Sequence, residues 1–244
     1  MAFPQNSIPG IDVSHLQGVV NWPTVAASGE VFAFAKASEG ITFVDGHFHD
    51  NWQGMSAAGV LRGAYHYYRA NDDPRQQAQT FLQALAAANG SAVLAPGDLP
   101  AALDLEVTLG VGGPTIVAGV QTWLQMVADA TGRAPLVYTY PSFWQAIGNP
   151  PALSQYPLWI AEYGVAAPKK IGGWPTWTFW QFDSKHTVQG VGTPCDADGF
   201  QGTLVQLQSL AGMAPGVSLS AVNSSIAADP WDEGDGRDED VETV

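Results

Sequence analysis

Apolar residues in this chain come in short blocks that end abruptly in charge. The block at 8–14 is a short strand whose only charge is Asp12, and that at 30–36 is a strand of aromatic and small residues running into Lys36 and Glu39. Residues 60–68 form another, with His66 and Arg69 at its far end, and 99–106 delivers Asp104 and Glu106 after an uncharged run. Strands are also expected at 135–140, at 158–163 with Glu162, and at 177–183 with Asp183. Between the early strands the period changes from two to 3.6. Asn21 caps a short helix with Pro23 in its first turn, and residues 48–58 form a helix closed by Gly59. From Asp73-Pro74 to Asn89-Gly90, residues Ala78, Phe81, Leu82 and Leu85 share one helical face. Over 114–130 the stripe is Ile116, Val120, Trp123, Leu124 and Val127, which assigns Trp123 to the core. A short closing helix is expected over 200–210.

Strand–helix alternation through about residue 145 predicts an α/β fold with a parallel sheet built from βαβ units. Five or more units in one domain favour a barrel over a doubly wound sheet, and neither a G-x-G-x-x-G after the first strand nor a P-loop is present. The last third keeps strands and loses helices, so the expected architecture is an irregular, TIM-like (β/α) barrel. Residues 1–212 make the barrel; 213–244 form a polar, acidic tail with too little apolar surface to fold alone. In parallel barrels function sits at the C-terminal ends of the strands, and the charges named above all lie there.

Among them the Asp104-Leu105-Glu106 pair is the focus. Residues two apart on a strand point to one face, so both acids project together while Leu103 and Leu105 pack on the other side. Two carboxylates at a buried strand end repel and resist ionisation, which makes one a candidate acid at neutral pH. A strand end emerging into solvent is the competing reading. Nine Trp and seven Tyr accompany the carboxylates. Aromatic faces with carboxylates and amides suit a carbohydrate, and strand position selects Tyr65, Tyr67, Tyr138, Trp159, Tyr163, Trp180 and Gln181 as substrate-binding candidates. Several of these aromatics must also fill core. His47-Phe-His49 has no flanking strand and no H-E-x-x-H, so no metal site and no cofactor is assigned; His15 is expected to make a hydrogen bond near the site. The single Cys195 has no evident base and permits no intrachain disulfide.

Charge is sparse, at 13% of residues, and the net charge of −14 disfavours sequence-independent nucleic-acid binding. From Asp229 onward eight acids face one arginine, a net −7 and half of the total. That stretch reads as a solvated tail, with Trp231 among acids as the basis for a docking or delivery partner. Residues 1–9 lack the basic and apolar segments of a signal peptide, and no apolar run is long enough for a membrane span.

Eight blocks, in order, resemble glycoside hydrolase family 25, the Chalaropsis-type lysozymes. They are Gly10-Ile-Asp-Val-Ser14, Phe34-Ala-Lys-Ala-Ser-Glu-Gly40, Gly63-Ala-Tyr-His-Tyr67, Leu103-Asp-Leu-Glu106, Leu136-Val-Tyr-Thr139, Leu158-Trp-Ile-Ala161, Trp180-Gln-Phe182 and Asp196-Ala-Asp-Gly-Phe-Gln-Gly202. The resemblance implies an irregular β/α barrel that cleaves the β-1,4 bond between N-acetylmuramic acid and N-acetylglucosamine, acting on peptidoglycan glycan strands at the cell wall by an export route the sequence leaves open. By motif it implies Glu106 as general acid, Asp104 as the residue orienting the substrate acetamido group, and Asp12 and Asp196 as the other acids of the site. Asp183 has no counterpart. The family's last block more often reads Asp-x-Asn, whereas Asp198 stands here. The D-x-E arrangement resembles enzymes in which the substrate's own acetamido oxygen attacks C1, so substrate-assisted retention is expected. Two other readings are a metal-dependent amidase or deacetylase on the same polymer, and a catalytically silent glycan-binding domain.

Overall fold

The computed structural model describes Pro4 and residues 6–216. Nine strands form one sheet: β1 (Ser7–Val13), β2 (Phe32–Glu39), β3 (Phe43–Val44), β4 (Leu61–Tyr67), β5 (Ala102–Asp104), β6 (Leu136–Thr139), β7 (Leu158–Ala161), β8 (Phe179–His186) and β9 (Cys195–Gln201). The helices are α1 (Trp22–Ala27), α2 (Phe48–Ala57), α3 (Pro74–Asn89), α4 (Gly113–Thr131), α5 (Pro141–Ala146) and α6 (Leu204–Leu210). The sheet runs β1-β9-β8-β7-β6-β5-β4-β2-β3, and β1 also pairs with β2, so eight strands close into a barrel with β3 as an appended edge. Pairings from β1 through β8 around the ring are parallel, whereas β9 lies antiparallel to both β8 and β1.

The expected irregular barrel is therefore the fold, and its irregularity is β9. Sequence alone predicts no strand at 195–201 and a closing helix from 200; the helix starts at Leu204. Cys-Asp-Ala-Asp-Gly-Phe-Gln has little intrinsic strand preference. It is extended because two neighbouring strands supply partners on both sides. Thr203 then caps α6 in a reciprocal box with Gln206. The one-turn helix α5 was also unanticipated, while β7 to β8 and β8 to β9 carry no helix, as expected. The other caps follow the sequence: the Asn21 side chain accepts from Thr24 N, and that of Asp73 from Arg75 N and Gln76 N.

Side chains alternate between two packing regions. Outward-facing Ile11, Ala33, Ala35, Ala64, Leu103, Val137, Ile160 and Trp180 meet the helices, with Trp52, Phe81 and Trp123 fully buried among them. Inside the barrel lie Phe32, Phe34, Leu61, Leu136, Trp159, Phe179 and Phe200. Two glycines make room for these rings: a Cβ on Gly63 would meet the Phe34 ring at 2.2 Å, and one on Gly10 the Phe32 ring at 2.5 Å. Leu207, Ala211 and Met213 of the α6 segment pack against the lower end of the interior. Residues 217–244 of the expected tail lie outside the described residues. No helix among the described residues is long and apolar enough to cross a membrane.

Candidate active site

The interior ring layer above the aromatic plug is polar, and there the barrel opens into a cavity of about 270 Å³. Its wall is lined by Asp12 of β1, Lys36 of β2, Tyr65 and Tyr67 of β4, Asp104 of β5, Tyr138 of β6, Trp159 of β7, Gln181 of β8 and Asp196 of β9, with Glu106, Tyr163 and the Ser14–Gln17 turn at the rim. Every strand of the closed ring contributes. Asp104 and Glu106 both reach it although β5 ends at Asp104, because Leu105 N still bonds Tyr138 O and keeps the alternation for two residues.

A hydrogen-bonded chain fixes the floor. Gln181 Nε2 donates to Asp12 Oδ2 at 2.6 Å, and Gln181 Oε1 accepts from the hydroxyls of Tyr138 (2.8 Å) and Tyr163. Two hydroxyl donors on one amide oxygen dictate which way the amide faces. Trp159 Nε1 donates to Asp198 Oδ1 at 2.7 Å. Lys36 pairs with Glu39 and lies over the Tyr67 ring, 4.8 Å from its centroid. His15 donates its backbone N–H to Asp45 Oδ2, and its ring Nδ1 lies 2.8 Å from the same oxygen.

Burial and mutual repulsion dominate the electrostatics. Asp12 and Asp104 are held well above the usual carboxylate range, first by burial and then by Asp196 and Glu106 respectively. Lys36 pulls Asp104 the other way. Glu106 is half-buried and raised, also by burial, with the Tyr138 hydroxyl and Lys36 opposing. Asp196 is pushed up to about 6 by burial and then by Glu106. Buried Asp104 Oδ1 has no hydrogen-bond donor facing it.

A second cavity, of about 420 Å³, adjoins the first over β6 and β7. It shares Glu106, Tyr138 and Tyr163 and adds Tyr140, Glu162 and Lys169. Glu106 stands where the two meet.

Of the residues singled out from the sequence, the four acids, the four tyrosines, Trp159 and Gln181 converge on the cavity. Trp180 does not. Its neighbour Gln181 faces inward, so strand alternation turns Trp180 outward, where its Nε1 donates to Glu162 O and its ring packs on Trp177 and Phe182. His66 is likewise outward, within hydrogen-bond reach of Ser38 and Gln77 and stacked on Trp123. Lys36 and Asp198 were read as a strand-end charge and a motif departure, without a place in the site. For Lys36 the signal is positional, an inward register in a strand the sequence predicts; Asp198 lies on β9, which the local sequence does not predict.

A sequence profile of glycosyl hydrolases family 25 matches residues 11–191. The chain belongs to this family. Lysozyme M1 of Streptomyces globisporus is 33% identical over 216 residues, covering 84% of this chain and 72% of that protein. N,O-diacetylmuramidase of Arthroderma benhamiae is 30% identical over 214 residues, covering 84% and 87%. Among solved structures, the bacterial lysozyme from Streptomyces coelicolor superposes with a TM-score of 0.78 at 32% identity, covering 85% of this chain and 98% of its own. The matched residues run from within β1 through β8, and β9 follows them.

Proposed function

We propose that Glu106 and Asp104 divide the work of hydrolysing the β-1,4 bond between N-acetylmuramic acid and N-acetylglucosamine in peptidoglycan. The chain is a glycosidase of the lysozyme, or muramidase, class. The observation that carries the division is the pairing of a buried, donor-less Asp104 Oδ1 with Glu106 at the junction of two cavities. The muramic acid ring occupies the inner cavity, against Asp12, Tyr65, Tyr138 and Trp159, and the leaving sugar lies over Tyr140 and Glu162. Glu106 then faces the bridging oxygen.

An orphaned buried carboxylate oxygen gains most from a donor brought by the ligand, and the acetamido N–H is such a donor. Its arrival stabilises the charge on Asp104 and leaves the proton that the pair holds on Glu106. Glu106 gives that proton to the glycosidic oxygen as the acetamido oxygen closes on C1, forming an oxazolinium ion against Asp104. Water, losing its proton to the Glu106 carboxylate, opens the ring from the face the leaving sugar vacated, and configuration is retained. Asp12 and Asp196 hold the sugar hydroxyls. The site of action is the cell wall.

Mass spectrometry of digested peptidoglycan tests the bond: reducing-end muramic acid is expected, and reducing-end glucosamine or released peptides would refute it. NMR of the first-formed anomer tests the pathway. A β-anomer is expected; an α-anomer excludes retention. Activity that survives EDTA separates this reading from a metal-dependent amidase or deacetylase.

A further inference from the structure

Asp198 is fully buried. On β9 it sits opposite Gly10 of β1 and Gln181 of β8, so its carboxyl points into the barrel beneath Asp12. One oxygen is satisfied: Oδ1 accepts from Trp159 Nε1. The other, Oδ2, is buried with no donor in reach. Its carboxyl neighbours that of Asp12, which lies two residues along β1 from the facing Gly10 and on the same inward face. Two carboxylates in contact in a dry interior cannot both be charged. Nor can they share the contact without a proton between them.

The surroundings say which one keeps it. Asp12 already receives a hydrogen bond from Gln181 Nε2, whose direction is locked by the hydroxyls of Tyr138 and Tyr163 on its Oε1. A proton on Asp198 gives Asp12 a second donor. A proton on Asp12 would donate equally well to Asp198 but would leave the charge on the fully enclosed Asp198, whereas Asp12 lines the open cavity, where water or a sugar hydroxyl can solvate its charge.

We propose that Asp198 works as a neutral acid, donating a hydrogen bond from Oδ2 to Asp12 and so holding Asp12 as an oriented carboxylate in the sugar cavity. It is a positioning residue, acting through Asp12, and offers Asp12 a donor, as one N–H of an asparagine amide at this position would. The ionisable groups acting with it are Asp12 from β1, Asp196 and Cys195 on its own strand, and Tyr163 beyond β7; Gln181 of β8 is neutral. Burial, Asp12 and Asp196 all raise its affinity for the proton. The proposal rests on the reading of this cavity as the hydrolytic site.

The test compares the full chain with D198A and D198N on soluble glycan strands across pH. D198A removes the donor, so kcat falls by about ten- to a hundredfold, the worth of a hydrogen bond to a charged group. The acid limb of its profile moves to higher pH, because Asp12 loses a bond that favours its charge. D198N rescues the donor without restoring a titrating group, and both limbs return to the wild-type positions. Were Asp198 charged in the working enzyme, D198N would delete a negative charge beside Asp12 and Asp196 and drag both limbs to lower pH. That displacement, or a wild-type profile in D198A, overturns the proposal. Infrared difference spectra decide it independently of turnover: the wild type at neutral pH carries a protonated-carboxyl carbonyl band that D198N lacks. No lost band refutes a neutral Asp198, whereas a lost band with no released reducing ends refutes the hydrolase reading alone.

Discussion

Glu106 and Asp104 are chemically near-identical, and their environments separate them. Glu106 is half-buried at the rim with the Tyr138 hydroxyl beside it, whereas Asp104 is enclosed and carries the donor-less oxygen. Glu106→Gln keeps shape and removes the proton. It is expected to lower kcat by about 10²–10⁴, the range for a general acid, with binding of glycan fragments preserved. Near-normal lysis by that variant would refute the assignment. The shared proton gives a second expectation. If substrate moves it onto Glu106, the alkaline limb of kcat, which reports the complex, lies at higher pH than that of kcat/KM, which reports the free enzyme. Coincident limbs would show that the pair's proton is indifferent to substrate.

At the scale of elements, the barrel interior is organised in layers along each inward register. On β4 the inward series is Leu61, Gly63, Tyr65 and Tyr67: core, space for a neighbour's ring, then two cavity walls. On β2 it is Phe32, Phe34 and Lys36. The glycine at 63 is what lets Phe34 lie flat on Trp159, their centroids 4.5 Å apart. Gly63→Ala forces that stack to move. The expected cost is about 1–3 kcal/mol for overpacking, seen as a Tm lowered by roughly 2–4 °C per kcal/mol in a domain of this size. Since Trp159 also donates to Asp198, the variant's KM for glycan should rise as well. Unchanged Tm would show that the plug is looser than its packing implies.

For the whole molecule, the site's negative charge has a stability signature. Asp196 at about 6 and Glu30 at about 7, both raised by burial, bind protons in the folded state that the unfolded chain has already released. Their stabilisation is therefore lost as pH rises from about 4 to about 7. His66 acts oppositely: burial lowers it to about 4, so it favours the fold as pH rises over the same window. His186, Glu39 and Asp183 side with His66, but Asp12, Asp104, Glu106 and Asp198 side with Asp196 and Glu30, and the raised carboxyls outnumber the lowered groups. Calorimetry should give a higher Tm at pH 5 than at pH 8, with Glu30→Gln narrowing the difference by raising the value at pH 8. A Tm that climbs toward pH 8 would contradict this. The net charge of −14 also predicts that lysis of an anionic wall quickens as salt screens the repulsion.

The sequence by itself determined the barrel class and most helix bounds, and it named most of the residues that line the cavity. Periodicity, caps and charges at strand ends are local signals, and a motif names residues without needing their distances. It could not supply β9. Cys195–Gln201 is extended only because β8 and β1 leave a gap that must be closed, and closure is a property of the whole ring. That strand brings Asp196 into the cavity wall and sets Asp198 in the barrel interior beneath it. Direction was equally tertiary: Trp180 and Gln181 read alike as strand-end groups until register turned one toward helices and the other toward Asp12. The proton balance among the acids followed from the same cause, since burial and mutual distance, not residue type, set which carboxyl stays neutral.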